Sequence, residues 1–415
     1  MKILIVNKYD KEGGAAIAAY RLHKSLLEVG VQSSMLVQKK ITDDYTVVGS
    51  VTIKQKLISA INYHVDQLPV FFYKNKSADL FSPSWFSFGD ILKQINAIQP
   101  DIVHLHWICK GMLTIEDLAK IKVPIVWTLH DSWAFTGGCH IIRSCDKYLN
   151  VCEACPELMS NKPKDLSKKV FERKRKAYSK INKMTVVTVS KWLESCARNS
   201  TLLKDKEIIT IPNCINTTAY KPLDKLLAKS ILNINKSKKV ILFGAMSAVD
   251  DKNKGYSELL EAINKLKLKT DEVELIVFGS AQPKKPPPLK YKVSFLGRFF
   301  DDISLQIIYS AADVMVVPSR QESFGQTASE SMSCGTPVVA FGTSGLVDIV
   351  EHKVNGYLAK PYDTIDLANG IEWVLGHVNY KELAENAREK VVRKFDSKIV
   401  SDAYVSLYQS MLSNN

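Results

Sequence analysis

Two glutamates, Glu322 and Glu330, stand in the stretch SRQESFGQTASESMSCGTPVVA, residues 319–340, with Gly325 between them. An ionised carboxylate can only accept hydrogen bonds, so such a pair suits hydroxyl groups, and a diol suits the two oxygens of one carboxylate. Gln326 and Thr327 follow where a loop would enter a helix. Free backbone N–H groups and the positive end of a helix dipole favour a phosphate at such a point. The glycine lets the backbone approach a ligand closely. The plainer alternative is a solvated loop followed by a helix surface.

A second group with chemical potential is TGGCHIIRSCDKYLNVCEACPEL, residues 136–158, which holds Cys139, Cys145, Cys152 and Cys155, half of the eight cysteines. Four thiolates can bind zinc tetrahedrally, with Cys152 and Cys155 as the C-x2-C half and His140 as a substitute ligand. The Cys139–Cys145 spacing is longer than usual for paired ligands. A reduced thiol cluster and two local disulfides are the other readings.

The elements that must position these residues repeat one grammar. KILIV opens the chain as an apolar strand, Gly13 and Gly14 follow, and AAIAAYRLHKSLLEVG has helical spacing closed by Gly30. DIVHLHW (101–107), PIVWTLHD (124–131) and KMTVVTVS (183–190) are further strand-like runs. The pattern restarts after the linker IPNCINTTAYKPL (211–223) with KVILFGA (239–245), the amphipathic KGYSELLEAINKLK (254–267), VELIVFGS (273–280), VSFLGRF (293–299), DVMVVPS (313–319) and PVVAF (337–341). PKKPPP (283–288) reads as an exposed connection. Apolar runs alternating with helices predict parallel α/β sheets. The expected architecture is two Rossmann-like domains facing across a cleft at the carboxyl ends of their strands. The boundaries read as 1–210 together with a C-terminal helix at about 396–415 that crosses back to the first domain, and 211–395 for the second.

In this order along one chain, ESFGQTASE leading into SMSCGTPVVAF, Gly13–Gly14, TLHD (128–131), VTVSKWL (187–193), IPNCIN (211–216), Lys254–Gly255 and EHKVNGYL (351–358) resemble the GT-B glycosyltransferases of family 4 over nearly the whole sequence. The resemblance implies a retaining transfer of a sugar from a nucleotide-sugar donor to an acceptor hydroxyl, with no catalytic metal. It implies that Glu322 contacts the transferred sugar and Glu330 the ribose. Gly13, Gly14, Gly325, Gln326 and Thr327 would serve donor binding, and His130 would contact the donor sugar or support the reacting face. Asp131 would orient His130 or face the acceptor, and Lys254 would stabilise the leaving diphosphate. A histidine capping a strand and a lysine at a helix start are the plainer readings of His130 and Lys254. Many family members carry an arginine shortly before that lysine. Here GAMSAVDDKNKG has none, which leaves Lys252, Arg298 or Arg320 to supply the charge, with Arg298 assigned to the donor site.

The 415 residues exceed one ordinary core, and 46% hydrophobic with 24% charged residues is a globular composition. A net charge of +13 points to an anionic partner. Ten Lys/Arg against two acidic residues in NKPKDLSKKVFERKRKAYSKINK (161–183) read either as a solvated basic helix with little apolar face or as a dock for anionic lipid. LPVFFYKNKSADLFSPSWFSFG (68–89) adds aromatic residues in a loop-rich region. The expected acceptor is a glycan or lipid-linked glycan of bacterial capsule, O-antigen or exopolysaccharide synthesis. The expected location is cytoplasmic, peripheral on the inner face of the plasma membrane, since no signal or spanning segment is visible. A nucleic-acid partner is not expected, because no such motif is present. A dinucleotide oxidoreductase would need G-x-G-x-x-G after the first strand, where NKYDKEGGAA stands. A non-catalytic sugar-nucleotide-binding protein of the same fold is the alternative function.

Overall fold

The protein is seen in a computed structural model that describes residues 1–49, 53–284 and 288–413. The chain divides into two compact units, Met1–Pro212 with Val400–Asn415, and Asn213–Ile399.

In the first unit, β1 (Lys2–Tyr9), β2 (Gln32–Lys39), β3 (Val47–Val48), β4 (Ile102–Leu105), β5 (Ile125–Leu129), β6 (Met184–Thr188) and β7 (Glu207–Thr210) form one sheet in the order β3-β2-β1-β4-β5-β6-β7. Every pairing in it is parallel. β4, β5 and β6 are buried along their whole length, which is why they read as continuous apolar runs rather than alternating ones. Strand order reverses between β1 and β4, so the connections leaving these two strands part at that point, where open α/β sheets hold their ligands.

The helix Ser397–Ser413 returns to this unit. Its Tyr408 hydroxyl bonds His104 Nδ1 at 2.7 Å, and its Tyr404 hydroxyl bonds Thr128 Oγ1 at 2.9 Å. A polar handle on a large apolar body fits a tyrosine packed on a strand that carries histidine and threonine.

The second unit holds β8 (Lys239–Gly244), β9 (Val273–Phe278), β10 (Lys292–Gly297), β11 (Val314–Val317), β12 (Val338–Phe341) and β13 (Gly356–Ala359), all parallel, in the order β10-β9-β8-β11-β12-β13. Its reversal lies between β8 and β11. Leu275, Val277, Val316 and Phe341 of the sheet pack with Leu259 and Ile263 of helix Tyr256–Lys265 and with Leu367 and Ile371 of helix Thr364–Leu375. Each such buried side chain contributes about 1.5–3 kcal/mol.

Two sequence expectations change. The basic stretch forms helix Leu166–Tyr178, but it has an apolar face: Leu166, Val170, Phe171, Ala177 and Tyr178 are buried, and so is Lys174. The loop-rich reading of 68–89 fails at its start, because helix Ile53–Phe71 runs into it. In the proline run 283–288, residues 285–287 lie outside the described residues.

Candidate functional site

In the second unit, Lys254 and Glu322 flank the strand-order reversal, Lys254 on the segment after β8 and Glu322 on the loop after β11. Their side chains meet: Lys254 Nζ donates to Glu322 Oε1 at 2.7 Å. Burial alone would lower the Lys254 pKa, but the facing carboxylate outweighs it and holds the group above the ordinary lysine range. Both loops are fixed by backbone contacts. Asn253 Nδ2 donates to the Gln321 carbonyl at 2.7 Å, and the Arg320 N–H donates to the Asn253 carbonyl at 2.8 Å. The Glu322 N–H donates to Ser344 Oγ at 2.9 Å, and its carbonyl accepts from the Gly345 N–H at 2.8 Å.

Gly255 turns the chain directly after Lys254 with φ of 74°, against the Pro318 carbonyl, where no Cβ fits. Gly325 is the N-cap of helix Gln326–Ser333 with φ of 109°, a conformation costly to any L side chain. The Ala328 N–H donates to the Gly325 carbonyl at 3.1 Å, and the N-terminal end of this helix follows the Glu322 loop by three residues, so the positive end of its dipole lies near the Lys254–Glu322 pair. Gln326 and Thr327 are half-buried. Glu330 lies deeper: it is buried, and its Oε2 accepts from the Tyr309 hydroxyl at 2.7 Å.

The three candidates for the additional cation separate. The Arg320 guanidinium is committed to Glu258, with Nε donating to Oε1 at 2.7 Å. Arg298 is exposed just past the edge strand β10, and Lys252 is exposed two residues before Lys254. Proximity in the chain favours Lys252 over Arg298.

In the first unit, Gly13 is the N-cap of helix Gly14–Glu28, directly after β1. On the other side of the reversal, His106 follows β4, and His130 follows the neighbouring β5. His106 Nδ1 and His130 Nε2 share a hydrogen bond of 2.8 Å, with the rings stacked at 5.1 Å. His104 lies below, its ring 4.3 Å from that of His106, and its nitrogens bond Tyr408 and Thr128. Burial pushes His130 down to about 4, opposed in part by Asp131. Burial also takes His104 to about 3 and His106 well below the ordinary value. All three are neutral at pH 7. His106 Nε2 is buried and has no hydrogen-bond partner among the described residues. His106, Trp107, His130 and Asp131, among others, line a small surface pocket.

Among the described residues no hydrogen bond joins Asp131 to His130. Asp131 Oδ2 accepts from Trp107 Nε1 at 2.8 Å and from His140 Nδ1 at 2.7 Å, and its Oδ1 accepts from the Trp133 N–H at 2.8 Å. Burial would raise this carboxyl, but His140 and these donors hold it below the usual range. The ring beside His130 is that of His106, which the sequence reading passed over. Its signal was present: His104 and His106 alternate at a strand end, and alternate residues share one face.

The four cysteines 139, 145, 152 and 155 line one small pocket. All are free thiols, and Cys139 Sγ lies 3.8 Å from Cys155 Sγ. Among the described residues no three His, Cys, Asp or Glu side chains are gathered closely enough to hold a metal ion. His140, the substitute ligand, uses both ring nitrogens, on Asp131 and on Ser82 Oγ at 2.9 Å.

Residues 12–219 match the model for Glycosyltransferase Family 4, and residues 224–390 match that for Glycosyl transferases group 1. An uncharacterized glycosyltransferase of Methanocaldococcus jannaschii is 30% identical over 238 residues, 54% of this chain and 59% of that protein. The capsular polysaccharide biosynthesis glycosyltransferase CapM of Staphylococcus aureus is 26% identical over 173 residues, 40% of this chain and 45% of its own length. The chain thus spans about half the length of these curated relatives. Among solved structures, the sucrose-phosphate synthase of Thermosynechococcus elongatus superposes with a TM-score of 0.70 at 19% identity, covering 100% of both chains. The HepE protein of Anabaena, solved in complex with UDP-glucose, superposes with a TM-score of 0.63 at 18% identity, covering 99% of this chain and 100% of that one. The two parallel sheets and these neighbours give the fold as GT-B, with two Rossmann-like domains.

Proposed function

The chain belongs to glycosyltransferase family 4, and on that footing we propose that it transfers a sugar, with retention of anomeric configuration, from a nucleotide-sugar donor to an acceptor hydroxyl. The observation that carries this reading is the Lys254–Glu322 pair at the strand-order reversal of the second unit, beside the Gly325 helix start. A nucleotide sugar presents a diphosphate and several hydroxyls. Lys254 and the helix start offer the diphosphate a charge and oriented N–H groups, and they stabilise it further as negative charge grows on the leaving group. Glu322 accepts from the sugar hydroxyls and Glu330 from the ribose. His130, neutral at pH 7, supports the reacting face as a hydrogen-bonding group rather than as a cation. Asp131, braced by Trp107 and His140, shapes the acceptor side.

The Anabaena neighbour binds UDP-glucose, which supports a uridine nucleotide as the first donor to try. The Staphylococcus aureus relative is named for capsular polysaccharide synthesis, which supports a glycan or lipid-linked glycan acceptor of bacterial capsule, O-antigen or exopolysaccharide assembly. The test is a thermal-shift screen of nucleotide sugars, followed by transfer assays and the anomeric configuration of the product by NMR. An inverted product overturns retention, and no stabilisation by any nucleotide sugar overturns the donor site. The commitment of Arg320 to Glu258 favours one second reading, a sugar-nucleotide-binding protein without turnover. Binding without transfer across a broad acceptor panel would select it.

A further inference from the structure

The helix Ile53–Phe71 turns its polar side inward. Asn62 and Asp66 are fully buried. They hold neighbouring backbone: Asn62 Oδ1 accepts from the Phe88 N–H at 2.8 Å, and Asp66 Oδ1 accepts from the Trp85 N–H at 2.7 Å. The opposite side is apolar and open. Leu57, Ile61, Leu68 and Phe71 are 60%, 44%, 54% and 80% exposed, and Phe72, just past the helix, is 81% exposed. With the exposed His64, positions 57, 61, 64, 68 and 71 form one stripe roughly 80° wide at 3.6 residues per turn. An amphipathic helix of a folded domain ordinarily turns such a stripe to the core. A stripe left in water that is apolar but for one histidine marks an interaction surface.

The surroundings of the stripe are basic. Exposed Lys74 and Lys76 follow Phe72. Between them and the helix, the Tyr73 hydroxyl accepts from the Leu166 N–H at 2.9 Å. That bond brings the segment with exposed Lys162, Lys164 and Lys169 next to the end of the stripe. Lys110 Nζ stands 5.2 Å from the Tyr63 ring on the same helix. We infer that this face docks the protein on an anionic lipid bilayer, with Leu68, Phe71 and Phe72 entering the headgroup boundary and the lysines pairing with lipid phosphates. A second copy of the chain is the poorer occupant. Two-fold pairing of the face would bring the same lysines together on chains of net charge +13 each.

The inference deepens the proposed lipid-linked acceptor and rests on that reading for its purpose. Its test needs neither donor nor acceptor, so the two fail separately. The intact protein is floated with vesicles of phosphatidylglycerol and phosphatidylethanolamine in equal parts, and with vesicles of phosphatidylcholine alone. Recovery is expected with the anionic vesicles and is expected to fall with added salt. The double variant Phe71→Ser/Phe72→Ser should lower binding at least about tenfold, and Lys74→Glu/Lys76→Glu about fivefold or more per lysine. Melting temperatures should stay at the wild-type value, since all four side chains are exposed. Failure of the wild type to bind, equal recovery on both vesicle types, or variants that bind like wild type overturns the inference. So does a dimer, seen by light scattering, that dissociates in the phenylalanine variant, because the stripe would then be a self-interface.

Discussion

Lys254→Ala removes the cation that faces Glu322 at 2.7 Å, in a pair whose side chains are 23% and 18% exposed. Two unit charges at that distance attract by about 6 kcal/mol at an effective dielectric of about 20. Desolvation and the ordering of two long side chains offset most of this, and hydrogen bonds to charged groups net about 1.5–3 kcal/mol. The variant also leaves a mostly buried carboxylate without its lysine, so a loss of about 2 kcal/mol in urea unfolding at pH 7 is expected. Glu322→Gln should cost a similar amount, and the double variant should cost less than the sum by at least about 1 kcal/mol, because the two side chains share one interaction. The sign with pH follows from the raised lysine pKa. The contribution is fully present below the unfolded lysine value of about 10.4 and is lost only as pH rises through the higher folded value. In transfer assays with the donor identified by thermal shift, removing this cation from the leaving diphosphate should slow turnover about 100-fold or more. Strictly additive stabilities in the double-mutant cycle would refute the ion pair. Wild-type turnover in Lys254→Ala would refute its role in transfer even if the pair is real.

Gly255→Ala should destabilise the second unit by at least about 1–3 kcal/mol through its positive φ, and it should abolish the thermal shift given by the donor, because the Pro318 carbonyl forces the Lys254 turn to move. Stability should fall as pH drops from about 6.5 toward 4. His104, His106 and His130 are held neutral in the folded state and charge on unfolding, so the unfolded chain binds more protons there. A His104→Gln variant should flatten that slope in urea titrations, and an unchanged slope would count against the burial argument. Lys174, buried against the Trp133 and Thr136 carbonyls and pushed down to about 7, has the same sign in another window. Wild-type stability should gain as pH rises from about 7 toward 10, and Lys174→Met should lose that gain.

Much of the local geometry of the candidate site in the second unit was legible in the sequence. Glu322, Gly325 and Glu330 lie close together on one loop and helix, and Lys254–Gly255 sits at a strand-to-helix turn. Glycine at such a turn states a backbone conformation directly, whatever packs around it. The parallel α/β character was equally plain, since strands covered on both faces are apolar along their whole length. What the sequence could not state was which distant groups would meet. Lys254 and Glu322 are joined because β8 and β11 are neighbours at the strand-order reversal, a property of topology rather than of either segment. Arg320 reads as a candidate phosphate ligand until Glu258 takes its guanidinium. Asp131 stands next to His130 in the chain, yet alternation along the backbone sends its carboxylate to Trp107 and His140, and His130 pairs instead with His106 from the adjacent strand. The helix Ile53–Phe71 carries the same lesson at larger scale. Its start overlaps no segment read from the sequence and its end reads there as loop-rich, and the fold sets its facing by burying Asn62 and Asp66 against the Phe88 and Trp85 amides. Local sequence sets conformation through sterics and burial period, whereas partner choice and the facing of each surface depend on which elements the fold brings side by side.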